Sequence, residues 1–397
     1  MLRKIFLGAM LAAAAALSFA QEAGYQAPEL TVEKNWDVSA PVYRITIHGS
    51  SDAAALAKRA FSTHGSFKVV QADGQYAFDF VKAGENAVAV TITGARPFTQ
   101  TVQGRSLADA VARACDLVVA KVLGQPGYFA GKLAFVSDRT GKTEIYTSDM
   151  LFQNIRALTA DKSDSMLPHW SPDGGRILYT GYYRTRLMDL YEINLAENSR
   201  RTFASYKGTN TGGEYSPDGG RVAMILTSSG NAEIWVSDSK GSNVRRVTKT
   251  PSVEASASWS PDGRELVFSS DAMGGPQLYR MPAAGGAMKR IRTNISKYCT
   301  EPDWNPRFPD LIAFTTASGR GFQVAVHDMK TGKTEIVTSG GSSTLPKWTN
   351  DGRHIVFTRS NGKSRALYLV DSITKKQTPL HTPSLGNCGE ADYIYNN

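Results

Sequence analysis

At one recurring position in the last two-thirds of the chain stand six polar residues, His169, Glu214, Ser258, Asp303, Lys347 and Asp392, each immediately before an aromatic side chain. Imidazole, carboxylate, hydroxyl and ammonium groups move protons or ligate cations, so their convergence would make a reactive or binding centre. A zinc or manganese site wants three or four nitrogen, sulfur or oxygen ligands around one point. His169 is the one histidine of the set, and the chain's others, His48, His64, His327, His354 and His381, form neither an i,i+4 pair nor a His-Glu-x-x-His motif. No Gly-x-Ser-x-Gly elbow occurs. Gly141-Lys142-Thr143, Gly332-Lys333-Thr334 and Gly362-Lys363-Ser364 lack the first glycine of a phosphate loop and read as hairpin turns. The expectation is a chain without catalytic residues, metal or cofactor, whose six polar residues line a channel and either solvate it or take part in binding.

The elements that position them follow from the aromatics. Trp170, Tyr215, Trp259, Trp304, Trp348 and Tyr393 recur every 44 or 45 residues. Each but the last leads into a turn, of which Ser171-Pro172-Asp173-Gly174, Ser216-Pro217-Asp218-Gly219 and Ser260-Pro261-Asp262-Gly263 are the clearest. Proline presets the second turn position and glycine tolerates the geometry that closes it. Tyr146, Tyr191, Trp235, Tyr279, Val324 and Tyr368 form a second series in phase with the first. Between the two series run short β-branched and aromatic stretches such as Ile177-Leu178-Tyr179-Thr180 and Leu266-Val267-Phe268-Ser269, which read as strands. Four strands per unit of about 40–45 residues is the pattern of a propeller blade. The expected fold is a six-bladed β-propeller over 127–397. Compact residues, Pro168, Gly213, Ala257, Pro302, Pro346 and Ala391, precede the six polar ones and suit strands crowding towards an axis.

The first unit lacks an aromatic-turn segment, and Asp392 to Tyr395 forms a lone strand. That strand is expected to complete blade one and close the ring. Residues 42–126 follow a different pattern, strands Val42–His48, Phe67–Val70, Tyr76–Val81 and Ala87–Ile92 with a helix over Asp52–Phe61 and another capped by Ser106 and ended by Gly124. This predicts a small α/β domain joined to the propeller by a short linker. Residues 1–20 read as a secretory signal, two basic residues, about thirteen apolar ones and Ser18-Phe19-Ala20, too short for a membrane span of roughly 20 residues. Residues 21–41 read as a flexible arm. Cys299 and Cys388 occupy equivalent points two blades apart, on the order of 14 Å on such a ring against a disulfide limit of ~7 Å, so both are expected to be free thiols. Cys115 reads as a small buried hydrophobe within its helix. The net charge of +9 is scattered without a basic aromatic groove, which argues against nucleic acid.

Leu167-Pro168-His169-Trp170-Ser171-Pro172-Asp173-Gly174 resembles the blade motif of the TolB family, periplasmic propeller proteins of the Tol-Pal system. The junction from Ala112 to Gly124 and on to Leu133-Ala134-Phe135-Val136-Ser137-Asp138 is similar too, so the resemblance covers roughly 105–397. It implies a periplasmic, monomeric, non-catalytic scaffold that binds a Pal-like peptidoglycan-associated lipoprotein at the channel mouth and supports outer-membrane integrity and constriction at division. It further implies that the N-terminal arm engages a TolA-like inner-membrane protein. By that analogy the loops entering the central strands form the partner face: Ser165, Met166, Thr209, Asn210, Glu254, Thr300, Glu301, Ser343, Thr344 and Glu390. The alternative is an exported lyase or carbohydrate-binding propeller of the oligogalacturonate-lyase type, which needs several histidines at the axis.

Overall fold

The structure, a computed structural model, describes residues 41–94, 97–185 and 187–395. The expected leader, 1–20, and all but the last residue of the arm, 21–41, lie outside them. The first domain runs β1 (Tyr43–Gly49), α1 (Ser51–Thr63), β2 (Phe67–Val69), β3 (Tyr76–Gly84), β4 (Ala87–Thr93), β5 (Phe98–Gln103) and α2 (Leu107–Leu123). Its sheet has the order β2-β1-β3-β4-β5, with β1 parallel to both neighbours and the other pairs antiparallel. α1 buries Ala53, Ala57, Ala60 and Phe61, the three- and four-residue spacing of one helix face. α2 starts where Ser106 Oγ accepts from the Asp109 amide at 3.2 Å, and ends at Gly124 in the left-handed conformation, φ 67°. β5 was not anticipated. Thr99, Gln100 and Thr101 at this sheet edge are all exposed, so the strand carries no apolar alternation to read.

Six four-stranded antiparallel sheets follow. Their innermost strands are Ser165–Trp170, Asn210–Tyr215, Glu254–Trp259, Cys299–Trp304, Ser342–Trp348 and, for blade one, Cys388–Ile394. That last strand pairs with Lys132–Ser137 in the register Tyr393 opposite Leu133, so the C-terminal strand closes the ring as expected. The aromatic repeat has a packing cause. Trp170 shares a buried cluster with Val136 and Ile145 of the preceding blade, Trp304 with Val267 and Leu278, and Trp348 with Ala313 and Val324. Each ring therefore fills the seam between two sheets, and a seam recurs once per blade. In the turn beyond Trp170, the Gly174 amide donates to Ser171 O at 2.8 Å with φ 68°, and Ser171 Oγ accepts from the Arg176 amide at 2.8 Å.

Every innermost strand runs from one face of the ring to the other, so the propeller has an entry face, where these strands begin, and a turn face, where they end. The α/β domain docks on the turn face of blades one and six. A single buried cluster passes from Phe61, Phe67 and Val111 through Tyr128 and Phe129 to Leu133, Val356 and Leu369. Cys115, Cys299 and Cys388 are free and buried, the latter two in separate cores.

Candidate functional site

The innermost strands are not regular. In each blade their ladder with the second strand slips register just ahead of the aromatic. Three residues before the aromatic stand Leu167 (φ 51°), Gly212 (64°), Ser256 (54°), Glu301 (52°), Leu345 (54°) and Glu390 (55°), all left-handed. For a residue with a side chain this conformation costs on the order of 1–3 kcal/mol, and here it is repeated around the ring. A bulge bends its strand and re-aims a side chain. All six bulge residues line one cavity of about 450 Å³ on the axis at the entry face, together with Met188, Ile225, Val253 and Ala257. The cavity is an apolar-walled funnel.

Its floor is ionic. His169 Nε2 lies 3.3 Å from Glu214 Oε2, and His169 Nδ1 3.7 Å from Asp392 Oδ2. Lys347 Nζ reaches Asp303 at 2.8 Å, Glu214 at 3.4 Å and Asp392 at 3.8 Å. Burial works against charge on Lys347, but the three carboxylates overcome it and hold the ammonium well above its usual range. Burial likewise opposes the proton on His169, and Asp392 and Glu214 raise its pKa. Burial would raise Glu214, yet Lys347 and His169 bring it down to about 2. Three carboxylates thus face one ammonium and one imidazole.

The choice of residue at this position has a second cause. The carboxylate or hydroxyl of one blade accepts the backbone amide of the next blade's aromatic: Asp392 from Trp170 at 2.7 Å, Glu214 from Trp259 at 3.1 Å, Ser258 from Trp304 at 3.3 Å and Asp303 from Trp348 at 2.7 Å. His169 and Lys347, which carry donors, instead bridge these acceptors, His169 between the blades on either side of it and Lys347 between its two neighbours and, across the axis, Glu214. Of the six, His169, Glu214 and Lys347 line the funnel, whereas Ser258, Asp303 and Asp392 are buried and tie blade to blade.

Of the residues expected at the partner face, Thr209, Glu301 and Glu390 line the funnel. Ser165, Met166, Asn210, Glu254, Thr300 and Ser343 are buried, because both of the positions four and five residues before the aromatic lie inside the strand ladders rather than in open loops. Asn210 Nδ2, for example, donates to Asp189 Oδ1 at 3.0 Å, and Glu254 accepts from Ser270 Oγ at 2.8 Å. Thr344 is half-buried. Beyond Glu301 and Glu390 the sequence carries no signal for the bulge position, since Leu, Gly and Ser there share with them a backbone conformation and no chemistry. Glu301 accepts from the Leu345 amide at 3.0 Å and Glu390 from the Leu167 amide at 2.9 Å, so these two acids brace neighbouring bulges. Around the mouth, Tyr183, Leu187, Tyr206, Val253 and Met273 are exposed apolar side chains of the entry-face loops, Met273 at 66%.

One candidate metal-binding group exists among the described residues: His64, His354 and Asp371, buried, with ligand atoms within 4.8 Å of one another. It lies between the two domains, far from the funnel's face. Arg353 Nη2 occupies Asp371 Oδ2 at 2.7 Å and the Gly65 amide donates to the same oxygen at 3.0 Å, so its carboxylate is already engaged.

The family model of the TolB beta propeller domain matches residues 119–390. The chain belongs to the TolB β-propeller family. The matched stretch begins in α2 and ends at Glu390, the last bulge residue, so it takes in every residue of the TolB-family funnel except Ala391. TolB from Acinetobacter baumannii superposes with a TM-score of 0.78 at 20% identity, covering 89% of this chain and 96% of that one, which shows a shared fold. The Tol-Pal system proteins TolB of Bordetella pertussis and Bordetella parapertussis are each 31% identical over 172 residues. That match is 43% of this chain and 39% of theirs, so the chain spans about two-fifths of the length of these curated TolB relatives.

Proposed function

We propose that this chain is a non-catalytic binding scaffold of a Tol-Pal-type envelope assembly, exported to the periplasm behind residues 1–20 and acting as a monomer. Its funnel receives a Pal-like peptidoglycan-associated lipoprotein, and its arm, 21–41, engages a TolA-like inner-membrane protein, so that it supports outer-membrane integrity and constriction at division. The observation that carries the reading is the funnel: a concave, apolar-walled site of a size suited to an inserted segment, ringed by exposed Leu187, Tyr206 and Met273. Its floor groups are consumed in ion pairs and backbone caps, and no nucleophile with an adjacent base is found there among the described residues. Glu301, Glu390 and Thr209 are the polar residues placed to fix the partner's register.

Two further observations bear on the choice. No helix among the described residues is long and apolar enough to cross a membrane. His169 is the one histidine lining the funnel, whereas the lyase-type alternative needs several. The test is capture from envelope extract with the purified chain. Recovery of a lipoprotein bearing a peptidoglycan-binding domain, reduced by Leu345→Asp, is expected. Failure to recover any such lipoprotein, or stoichiometric manganese or zinc in the purified protein, overturns the reading.

A further inference from the structure

Basic residues that lie far apart along the sequence converge in space. The entry-face loops carry Arg139 in the hairpin of blade one, Arg184 in that of blade two, Lys207 and Lys249 in the connections into blades three and four, and Arg320 and Lys363 in the hairpins of blades five and six. All six are exposed, and none takes part in an ion pair among the described residues. A propeller brings this about without any basic run in the chain, because every blade turns its second-to-third hairpin and its exit loop to the same face. Scattered cations become a ring.

Negative charge does not answer them on that face. Asp138 accepts from the Asn387 amide and Nδ2, both at 2.8 Å, Asp161 holds Arg200 at 2.9 Å, and Asp164 holds Lys142 at 3.0 Å, all three acids half-buried. Asp271 is the one exposed acid there among the described residues. The turn face differs, since Asp173, Glu197, Asp218, Asp262 and Asp310 stand exposed among its basic residues. The ring encloses the apolar funnel mouth and interleaves with it: Arg184 follows the exposed Tyr183, and Lys207 the exposed Tyr206. Thr209, Thr227, Gly230 and Val253, from the same set of loops, line the funnel itself. An apolar centre inside a charged rim is the anatomy of a protein interface.

We propose that the entry face selects an acidic protein partner, one whose apolar segment fills the funnel while the carboxylates around that segment meet the basic ring. This rests on the binding role proposed above and adds the charge of what binds. Unpaired cations repel one another across the mouth, and an acidic partner relieves that repulsion as it docks. Exposed charges act over a Debye length of about 8 Å at physiological salt, so they speed encounter and turn away basic competitors more than they hold the finished complex. A bilayer of anionic lipid would meet the same cations, but its flat surface offers nothing to enter a cavity of about 450 Å³. A nucleic-acid strand needs a continuous groove and free aromatic faces, whereas the cations form a closed ring and Arg200 already lies 3.3 Å over the Tyr183 ring.

The experiment selects a random peptide library displayed on phage against the full chain at about 0.15 M salt. Enriched sequences are expected to place Asp and Glu around an apolar centre. A synthetic peptide of the enriched sequence should bind about tenfold more weakly to the double variant Lys207→Glu and Lys249→Glu, and its association rate should fall about tenfold between about 0.05 and about 0.5 M salt. Arg264→Glu, on the turn face, should change neither. Absence of any enriched family, enriched peptides that are neutral or basic, or affinity indifferent to the double variant overturns the inference. So does sedimentation with phosphatidylglycerol vesicles, or retention of a single-stranded oligonucleotide, that the double variant abolishes and the peptide fails to compete. The outcome separates from that of the lipoprotein capture. Acidic peptides without a captured lipoprotein would keep the acidic partner and remove the Pal-like one, whereas lipoprotein capture indifferent to the double variant would do the reverse.

Discussion

Two clusters of buried charge sit on opposite faces of the ring, and they are built differently. The funnel floor gathers Glu214, Asp303 and Asp392 around Lys347 and His169, under an open cavity. The domain seam sets Asp351 and Asp371 against Arg353 and His354, under a sealed lid of aromatic rings. The sealed cluster is matched charge for charge and leaves nothing for a ligand. The open one has one carboxylate more than its ammonium and imidazole together, and opens to solvent. Burial of charge thus joins two domains in one place and shapes the base of the funnel in the other.

The largest effect should come from deleting residues 390–397, which removes Asp392 from the floor, Glu390 from the funnel wall and the closing strand of blade one. More than about 5 kcal/mol of stability should be lost, beyond the range of single substitutions; an unchanged thermal transition would break the comparison at its root. Next, Lys347→Met and Arg353→Met each strip the cation from a buried cluster, at about 3–5 kcal/mol. The two should be separable by hydrogen exchange, because Arg353→Met exposes the Gly65 segment and Lys347→Met does not. Loss of protection at Gly65 in both variants would mean the clusters are not independent. A smaller change is expected for Glu214→Gln, which keeps the acceptor for the Trp259 amide while removing the excess negative charge. Because Lys347 and His169 hold the Glu214 carboxyl down at about 2, its charge stabilises the floor, and chemical denaturation should place the variant about 1–3 kcal/mol below wild type. The smallest stability effect belongs to the double variant Leu187→Asp and Met273→Asp on the mouth. It should lie within about 0.5 kcal/mol of wild type yet sharply reduce capture of the lipoprotein partner.

The blade count and the closure were legible because one aromatic fills one seam, and a seam must recur with every sheet. The polar character of the residue before that aromatic was legible for the same reason, but its partners were not. That Asp392 caps Trp170 and Asp303 caps Trp348 depends on which blade follows which in space, and the Lys347 contacts cross the axis. The funnel wall was hidden more deeply. Leu167, Gly212, Ser256, Glu301, Leu345 and Glu390 are selected by a backbone slip that any of these side chains can ride, so residue type gives no signal. His64 and His354 belong to stretches with unrelated patterning, and their meeting follows from domain docking alone. The resemblance puts Ser165, Asn210 and Glu254 in loops entering the central strands, whereas they are the first residues of those strands and their side chains are buried.

The last strand touches everything described above. Within a few residues Glu390 braces the Leu167 bulge, Asp392 caps Trp170, the Tyr393 hydroxyl donates to Asn350 Oδ1 and to the Tyr128 carbonyl, and the Tyr395 hydroxyl donates to Asp116. Funnel base and domain joint are consequently finished by one and the same stretch of chain. Neither site is complete unless this strand is paired into blade one. Loosening that one strand would therefore disturb the funnel and the α/β joint together.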